Sequence, residues 1–276
     1  MIPKRVLGKT GAEVTILGLG GEGVLRTFGH EREAYEFINR SLDLGINYCE
    51  SARAYSGSES YYGLALKERR KDIFLTSKSH ARDRDGALQH LRETLENMRT
   101  NHLDLWQVHD VRTAQDLQQI FSPGGAIEAF VEAKQMGLTR FVGVTGHHDP
   151  AILARCLQLF DFDTVLLPVN PAEPTYASFV DTVTPLAVEK NMGIVGMKVY
   201  FRGLAAKLPW YDSMSPFLHY ALSLPITTAV IGNDSLDHVE KNVRFAESFS
   251  LMDESQRRAL VARVAPYARS LMYYKP

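Results

Sequence analysis

The sequence predicts an α/β fold in which eight parallel strands close into a (β/α)8 barrel. Eight short runs rich in β-branched or aromatic residues are each followed by a helical pattern of about 10 to 20 residues. Strands that alternate with helices imply parallel pairing, and eight such units are the number that closes a barrel. The length of 276 residues suits one barrel. Residues 1–276 are therefore predicted to form a single domain.

The order of the predicted elements follows the chain. The strands are Ile16–Gly20, Ile46–Glu50, Ile73–Lys78, Leu103–His109, Arg140–Thr145, Thr164–Val169, Ile194–Lys198 and Thr228–Ile231. The helices are Glu31–Leu44, Ser58–Arg70, Asp83–Arg99, Gly125–Met136, Pro150–Leu159, Tyr176–Lys190, Pro216–Leu222 and Ser235–Phe249, with an extra C-terminal helix over Glu254–Ser270. Before the first of these strands, Arg5–Val14 is predicted to form a β-hairpin that plugs the N-terminal end of the barrel.

An open, doubly wound sheet is the alternative fold. In that fold, the first strand would be followed by a GxGxxG turn that holds a pyrophosphate at the start of a helix. The first predicted strand is instead followed by GGEGV over Gly20–Val24, which lacks that spacing. The sequence therefore favours the barrel.

Composition excludes several classes of function. Lys and Arg number 31 and Asp and Glu 32, for a formal net charge of −1, so nucleic acid and anionic membranes are not expected as partners. No stretch has the character of a signal peptide or a membrane span, and we expect a soluble, cytoplasmic protein. The two cysteines, Cys49 and Cys156, are too few for a disulfide framework and are expected to be packed thiols.

Four chemically able side chains fall where predicted strands end. Glu50 ends the second strand and is followed by Tyr55, Lys78 ends the third, and His109 ends the fourth. Active sites of (β/α)8 barrels lie at this rim. A nearby ammonium makes proton release from a phenol easier, a carboxylate keeps the ammonium charged, and a histidine can orient a carbonyl oxygen. Each residue alone is more often structural, but the combination indicates carbonyl chemistry.

The residues around this combination resemble those of the aldo-keto reductases. Asn47–Glu59 reads NYCESARAYSGSE, which is similar to the family pattern N-x-F-D-[TS]-A-x-x-Y-G-x-S-E, and the resemblance extends over nearly the whole chain. It implies that Tyr55 is the proton donor, Lys78 its pKa-lowering partner and His109 the residue that orients the substrate carbonyl. Glu50 stands where the family has aspartate, and we expect it to pair with Lys78.

The resemblance also implies a nicotinamide dinucleotide lying across the rim. We expect NADP(H), with NAD(H) as the alternative. On the nicotinamide side the candidates are Thr145 and Asn170 for the carboxamide, Met197 for packing on the ring, and Lys198 and Arg202 for the pyrophosphate. At the adenosine side, Gly232, Asn233, Ser235, His238 and Asn242 lie in the segment similar to the family's adenosine-phosphate motif. Ser235 is also predicted to cap the eighth helix.

His147–Asp149 contains two histidines and an aspartate, which are common metal ligands. Adjacent residues on an extended segment point to different sides, so we predict no metal site. Asp149 is expected instead to cap the helix that starts at Pro150.

The predicted function is NADP(H)-dependent reduction of aldehydes or ketones, with Tyr55 as the proton donor. Leu25–His30 and Leu208–Tyr211 are expected to flank the mouth of the site. Two alternatives stay open: a cofactor-binding, redox-sensing barrel with little turnover, and a lyase or isomerase that uses Lys78 as a Schiff-base amine. A small carbonyl compound is the expected partner. The sequence leaves the substrate, the reaction direction and the oligomeric state undetermined.

Overall fold

Eight parallel strands close into one barrel, as the sequence predicts. The structure is a computed structural model that describes residues 1–276. The barrel strands are β3 (Leu17–Gly23), β4 (Tyr48–Glu50), β5 (Phe74–Ser79), β6 (Leu103–Val108), β7 (Thr139–Thr145), β8 (Thr164–Pro168), β9 (Gly193–Met197) and β10 (Thr228–Asn233). Each strand pairs in parallel with the next, and β10 pairs with β3 to close the ring. Closure excludes the doubly wound alternative.

The N-terminal hairpin is confirmed, and it blocks one end of the barrel. β1 (Lys4–Val6) pairs antiparallel with β2 (Glu13–Thr15) around a short 3-10 turn. Leu7 and Val14 from this hairpin are fully buried and pack with Tyr48, Phe74 and other inward side chains of the barrel strands. The amide of Lys9 donates to the Asn191 carbonyl oxygen at 2.6 Å, just before β9. The hairpin therefore covers the amino-terminal ends of the strands.

Twelve α-helices surround the barrel and end the chain. They are α1 (Glu31–Asp43), α2 (Ser58–Ala65), α3 (Arg84–Asn97), α4 (Ala114–Phe121), α5 (Ala126–Gln135), α6 (Pro150–Leu159), α7 (Phe179–Thr182), α8 (Thr184–Glu189), α9 (Ser215–Leu222), α10 (Leu236–Glu247), α11 (Glu254–Val264) and α12 (Ala268–Leu271). None of them has both the length and the apolar character that crossing a membrane requires.

Four helical assignments need correction. The helix expected over Ser58–Arg70 ends at Ala65, and a 3-10 helix over Lys67–Asp72 follows it. The single helix expected over Tyr176–Lys190 is two short helices, and Pro185 lies in the first turn of the second. The C-terminal helix expected over Glu254–Ser270 ends at Val264, and a 3-10 turn containing Pro266 follows it. The sequence analysis missed α4, although Thr113 and Asp116 form a reciprocal capping box at its start.

Candidate active site at the carboxyl-terminal rim

The structure brings the four predicted rim residues to the same end of the barrel. Glu50 is the last residue of β4, and Tyr55 lies in the turn that leads from β4 to α2. Lys78 is the penultimate residue of β5, and His109 directly follows β6. The His109 amide donates to the Ser79 carbonyl oxygen at 2.8 Å. Because β4, β5 and β6 are neighbours in the barrel, their carboxyl ends present these side chains side by side.

Lys78 is the centre of the group. Its Nζ lies 3.0 Å from Glu50 Oε1 and donates to the Ser51 carbonyl oxygen at 2.9 Å. It also reaches Tyr55 Oη at 3.5 Å. Glu50 and Lys78 are both buried, with side chains 5% and 1% exposed. Burial lowers the pKa of Lys78, whereas the charge and hydrogen bond of Glu50 raise it. The carboxylate therefore favours the charged form of the ammonium.

Tyr55 is surrounded by groups of both charges. The Lys78 ammonium and the Arg26 guanidinium lie 4.6 Å and 5.1 Å from the centre of its ring, and the His109 ring meets it edge-on at 5.7 Å. Burial is the main cause that raises the pKa of Tyr55 well above its usual value, followed by the negative charges of Glu50 and Glu22. The phenol is thus protonated at neutral pH, which is the form that a proton donor needs.

His109 is neutral at neutral pH. Burial lowers the pKa of its imidazole well below the usual range, and the positive charge of Lys78 lowers it further. The His109 Nδ1 atom is buried and has no hydrogen-bond partner within the protein. A neutral imidazole has one N–H to donate and one ring nitrogen that can accept. His109 can therefore offer a hydrogen bond to a substrate oxygen without carrying a charge.

The ends of β7 and β8 hold the two residues predicted to bind a carboxamide. Thr145 Oγ1 accepts a hydrogen bond from the Asp110 amide at 2.8 Å. Asn170 is buried, and its amide nitrogen donates to Tyr274 Oη at 2.9 Å and to the Lys198 carbonyl oxygen at 3.3 Å. Both amide hydrogens of Asn170 are therefore used within the protein, so a ligand could be bound only through the second lone pair of its Oδ1 atom. That oxygen already accepts from the Ala172 amide.

His147 and Asp149, in the segment after β7, have separate roles. Asp149 Oδ1 accepts from the Ala151 amide at 2.8 Å, with Pro150 in the first helical turn, so the predicted cap of α6 is confirmed. His147 Nε2 lies 3.2 Å from Asp110 Oδ1, and Asp110 directly follows His109 in the chain. Burial lowers the pKa of His147 to about 4.

The end of β9 presents a thioether and two cations. Met197 is the last residue of β9 and is partly buried. Lys198 and Arg202 both have left-handed backbone, with φ of 58° and 54°, which is unfavourable for such side chains. Arg202 lies 3.6 Å from Glu22 Oε2, whereas Lys198 has no carboxylate within 4 Å. The Lys198 ammonium is therefore available to interact with an anion at the end of β9.

The end of β10 and the start of α10 hold the remaining candidates. Ser235 is the N-cap of α10, as predicted, and accepts from the His238 amide at 3.3 Å. His238 is exposed. Asn242 is buried: its amide donates to Asn233 Oδ1 at 2.7 Å, and its Oδ1 accepts from Tyr200 Oη at 2.8 Å. Asn233 and Asn242 therefore form a buried pair between β10 and α10.

Gly232 lies against β3. A Cβ atom at this position would come within 2.7 Å of Glu22 Cβ, so any side chain here would have to displace Glu22. The absence of a side chain thus leaves room for the carboxylate of Glu22 at the rim. The sequence analysis did not select Glu22 or Arg26 as site residues, although Arg26 lies in the loop expected to flank the mouth. The two residues form an ion pair, in which Arg26 Nη1 lies 2.9 Å from Glu22 Oε1.

One aromatic residue of the loop expected to flank the mouth packs against outer helices. Trp210 stacks on Phe217, with ring centres 6.2 Å apart. The Arg263 guanidinium carbon lies 4.1 Å from the centre of the Trp210 ring. Trp210 is therefore held against α9 and α11. The C-terminal residues Tyr273–Lys275 contact Asn170 and Lys198, just after β8 and β9, which the sequence analysis did not predict.

Comparison with known proteins agrees with this arrangement. Residues 16–209 match the model of the Aldo/keto reductase family. This chain belongs to that family. The reductase is 24% identical to the uncharacterized oxidoreductase YqkF of Bacillus subtilis over 221 residues, which are 75% of this chain and 67% of that protein. The chain spans about half the length of two further curated relatives, with 49% and 45% covered.

Solved structures of aldo-keto reductases share the fold of this reductase. The holo form of AKR11C1 from Bacillus halodurans superimposes with a TM-score of 0.80 at 24% identity, covering 95% of this chain and 96% of that one. An enzyme from Klebsiella pneumoniae, solved in complex with NADPH, gives a TM-score of 0.78 at 18% identity, with 96% of each chain covered. Residues 232–242 lie beyond the residues that match the family model. For the end of β10 and the start of α10, the structural comparison shows a shared fold.

Proposed function

We propose that this aldo/keto reductase is an NADP(H)-dependent oxidoreductase that reduces aldehydes or ketones to alcohols, with Tyr55 as the proton donor. The observation that carries the proposal is the protonated Tyr55 hydroxyl, 3.5 Å from the buried Lys78 ammonium and beside the neutral His109. The NADPH complex of the Klebsiella pneumoniae enzyme supports the choice of cofactor. A nicotinamide dinucleotide, when bound, supplies the hydride.

The chain's own residues account for the proton transfer. The substrate carbonyl oxygen accepts hydrogen bonds from Tyr55 Oη and from the His109 imidazole, which orient it at the barrel mouth. As charge develops on that oxygen, Tyr55 gives up its proton and becomes a phenolate. The Lys78 ammonium, oriented by Glu50 and the Ser51 carbonyl oxygen, stabilises this phenolate. The Arg26 guanidinium over the Tyr55 ring also lowers the pKa of the phenol.

The rim chemistry fits a dinucleotide. Lys198 is a partly buried ammonium with no carboxylate partner, and Arg202 has only the 3.6 Å contact with Glu22. Both can bind a pyrophosphate. The N-terminus of α10, capped by Ser235, offers backbone amides and a favourable dipole to the adenosine phosphate. These residues lie at the ends of adjacent strands, β9 and β10.

The redox-sensing alternative rests on Glu50 in place of the family's aspartate and on departures from the family at the predicted carboxamide and ring-packing positions. The longer side chain still reaches Lys78 at 3.0 Å, so this substitution gives no geometric reason for slow turnover. We therefore favour the enzyme, and turnover assays distinguish the two functions.

The test is NADPH oxidation with a panel of aldehydes and ketones, comparing wild type with Tyr55→Phe. We expect Tyr55→Phe to lower kcat by about 100-fold or more, because general acid catalysis contributes about 10²–10⁴. Its Kd for NADPH should stay within about twofold, since the ring is kept. Tyr35→Phe, an exposed tyrosine on α1, is the control and should behave as wild type. Wild-type turnover by Tyr55→Phe would contradict the assignment.

Fluorescence titrations with NADPH and NADH at one salt concentration test the cofactor preference. We expect NADPH to bind more tightly, but by less than about tenfold, or roughly 1.4 kcal/mol. The reason is that residues 232–238 contain no lysine or arginine to bind a 2′-phosphate, and Asp234 adds a negative charge there. Binding of neither dinucleotide would overturn the proposed function.

A further inference from the structure

The C-terminal residues Tyr273–Lys275, here called the strap, are fixed to the barrel by a buried ion pair. Lys275 Nζ donates to Glu173 Oε2 at 2.8 Å and to the carbonyl oxygens of Tyr176 and Ala177, both at 2.9 Å. The side chains of Lys275 and Glu173 are 0% exposed. All three ammonium hydrogens are satisfied. A buried ion pair adds little net stability, but separating its partners leaves an uncompensated buried charge. The pair therefore fixes the position of the strap.

Tyr274 extends this attachment to the candidate cofactor rim. Its hydroxyl donates to Glu173 Oε1 at 2.7 Å and accepts from the Asn170 amide at 2.9 Å. The same Asn170 amide donates to the Lys198 carbonyl oxygen at 3.3 Å. A continuous chain of hydrogen bonds therefore runs from the strap, across the end of β8, to the strained residue that follows β9.

Tyr273 is the strap residue that is not buried. Its side chain is 44% exposed, and its ring centre lies 5.8 Å from Lys198 Nζ and 6.0 Å from Arg202 Cζ. An aromatic ring near two cations interacts favourably with both and limits their motion. The strap thus holds a large, partly exposed ring beside the two left-handed cationic residues at the end of β9.

We infer that the strap is part of the dinucleotide site, with Tyr273 as a cofactor contact and Tyr274 and Lys275 as residues that position it. The inference rests on the proposed function. Lys198 and Arg202 attract the anionic part of the ligand, and the exposed Tyr273 ring beside them provides a surface against which the ligand packs. The buried attachment to Glu173 keeps that ring in place before the ligand arrives, which reduces the entropy lost on binding.

The first test is the Kd for NADPH of Tyr273→Ala, measured by fluorescence titration. We expect Kd to rise about tenfold, because an aromatic ring on which a nucleotide base stacks contributes to nucleotide binding. Tyr273→Phe keeps the ring and should stay within about threefold of wild type. The matched control is Tyr35→Ala. Tyr35 is 41% exposed and has Lys67 Nζ 5.8 Å from its ring centre, but it lies on α1, so its Kd should not change.

The second test is Tyr274→Phe, which removes only the hydroxyl that joins Asn170 to Glu173. We expect a higher Kd for NADPH and increased hydrogen exchange in residues 273–275 of the cofactor-free protein. A purely structural role would increase the exchange without changing Kd. If wild type binds NADPH and Tyr273→Ala binds it equally well, the inference is wrong and the proposed function stands. If wild type binds neither dinucleotide, both are wrong.

Discussion

At the scale of single residues, the candidate site combines a buried ion pair with two uncharged side chains that can donate hydrogen bonds. Glu50 and Lys78 are paired out of contact with water, and Tyr55 and His109 beside them are uncharged at neutral pH. Removing one partner of a buried pair leaves the other charge uncompensated. The state of each group therefore depends on its immediate neighbours.

We expect Glu50→Gln to lower the free energy of unfolding by about 3 kcal/mol, because Lys78 would keep a buried charge without a counter-ion. The pKa of Lys78 should fall further, and carbonyl reduction should slow at least about tenfold. Urea unfolding and steady-state kinetics measure the two effects. Glu93→Gln is the control: Glu93 pairs with Arg53 and is 35% exposed, so its loss should destabilise the protein much less than the loss of Glu50. Equal effects of both variants would contradict the prediction.

Acid should destabilise the protein through His109 and His147. The pKa of His109 is lowered well below its usual value and that of His147 to about 4, both mainly by burial. Below about pH 6.5 these histidines bind protons in the unfolded chain but not in the folded protein. For each of the two histidines, the free energy of unfolding therefore falls by up to about 1.4 kcal/mol for every pH unit. For His147 this loss continues until the pH reaches about 4.

Urea unfolding at pH 7 and pH 5 measures this loss. His147→Gln should reduce the difference between the two pH values by about 1–2 kcal/mol, because the substituted side chain does not titrate. Val6→Ala, which changes an exposed apolar side chain, should leave the difference unchanged. An unchanged difference in His147→Gln would show that this histidine is not kept neutral by the fold.

At the scale of elements, the N-terminal hairpin contributes side chains to the barrel interior. Leu7 is fully buried among inward side chains of the barrel strands. We expect Leu7→Ala to lower the free energy of unfolding by about 2–5 kcal/mol, through lost burial and a residual cavity. Val6, its neighbour, is 54% exposed, and Val6→Ala should cost less than about 0.5 kcal/mol. Urea unfolding measures both changes in the free energy of unfolding. Similar changes for the two variants would mean that Leu7 is not part of the barrel interior.

At the scale of the whole molecule, closure between β3 and β10 makes the two ends of the chain depend on each other. We expect residues 1–276 to unfold as one cooperative unit. In Trp210→Phe, the remaining Trp106 is buried on β6 and stacked on Phe130 of α5, with ring centres 3.7 Å apart. Its fluorescence and the far-UV circular dichroism should change at the same urea concentration. Separate transitions would indicate more than one folding unit.

The alternation of strands and helices, and the rim residues Glu50, Tyr55, Lys78 and His109, could be predicted because each depends on residues close together in the chain. Periodicity identifies an element within a short window, and strand ends identify the rim. The same local reasoning overextended the helix at Tyr176–Lys190, where Pro185 lies in the first turn of a new helix. It also missed α4, whose capping box lies in a stretch to which the sequence analysis assigned no element.

Only the tertiary structure decided which polar groups satisfy one another. Asn170 and Tyr274 are 104 residues apart in sequence, and Glu173 and Lys275 are 102 apart, yet they form one buried network. Asn242 is likewise committed to Asn233 and Tyr200. The sequence by itself determined the barrel and the residues able to carry the chemistry. Their partners depend on how the ring closes, because burial forces each polar group to find whichever donor or acceptor the distant chain brings beside it.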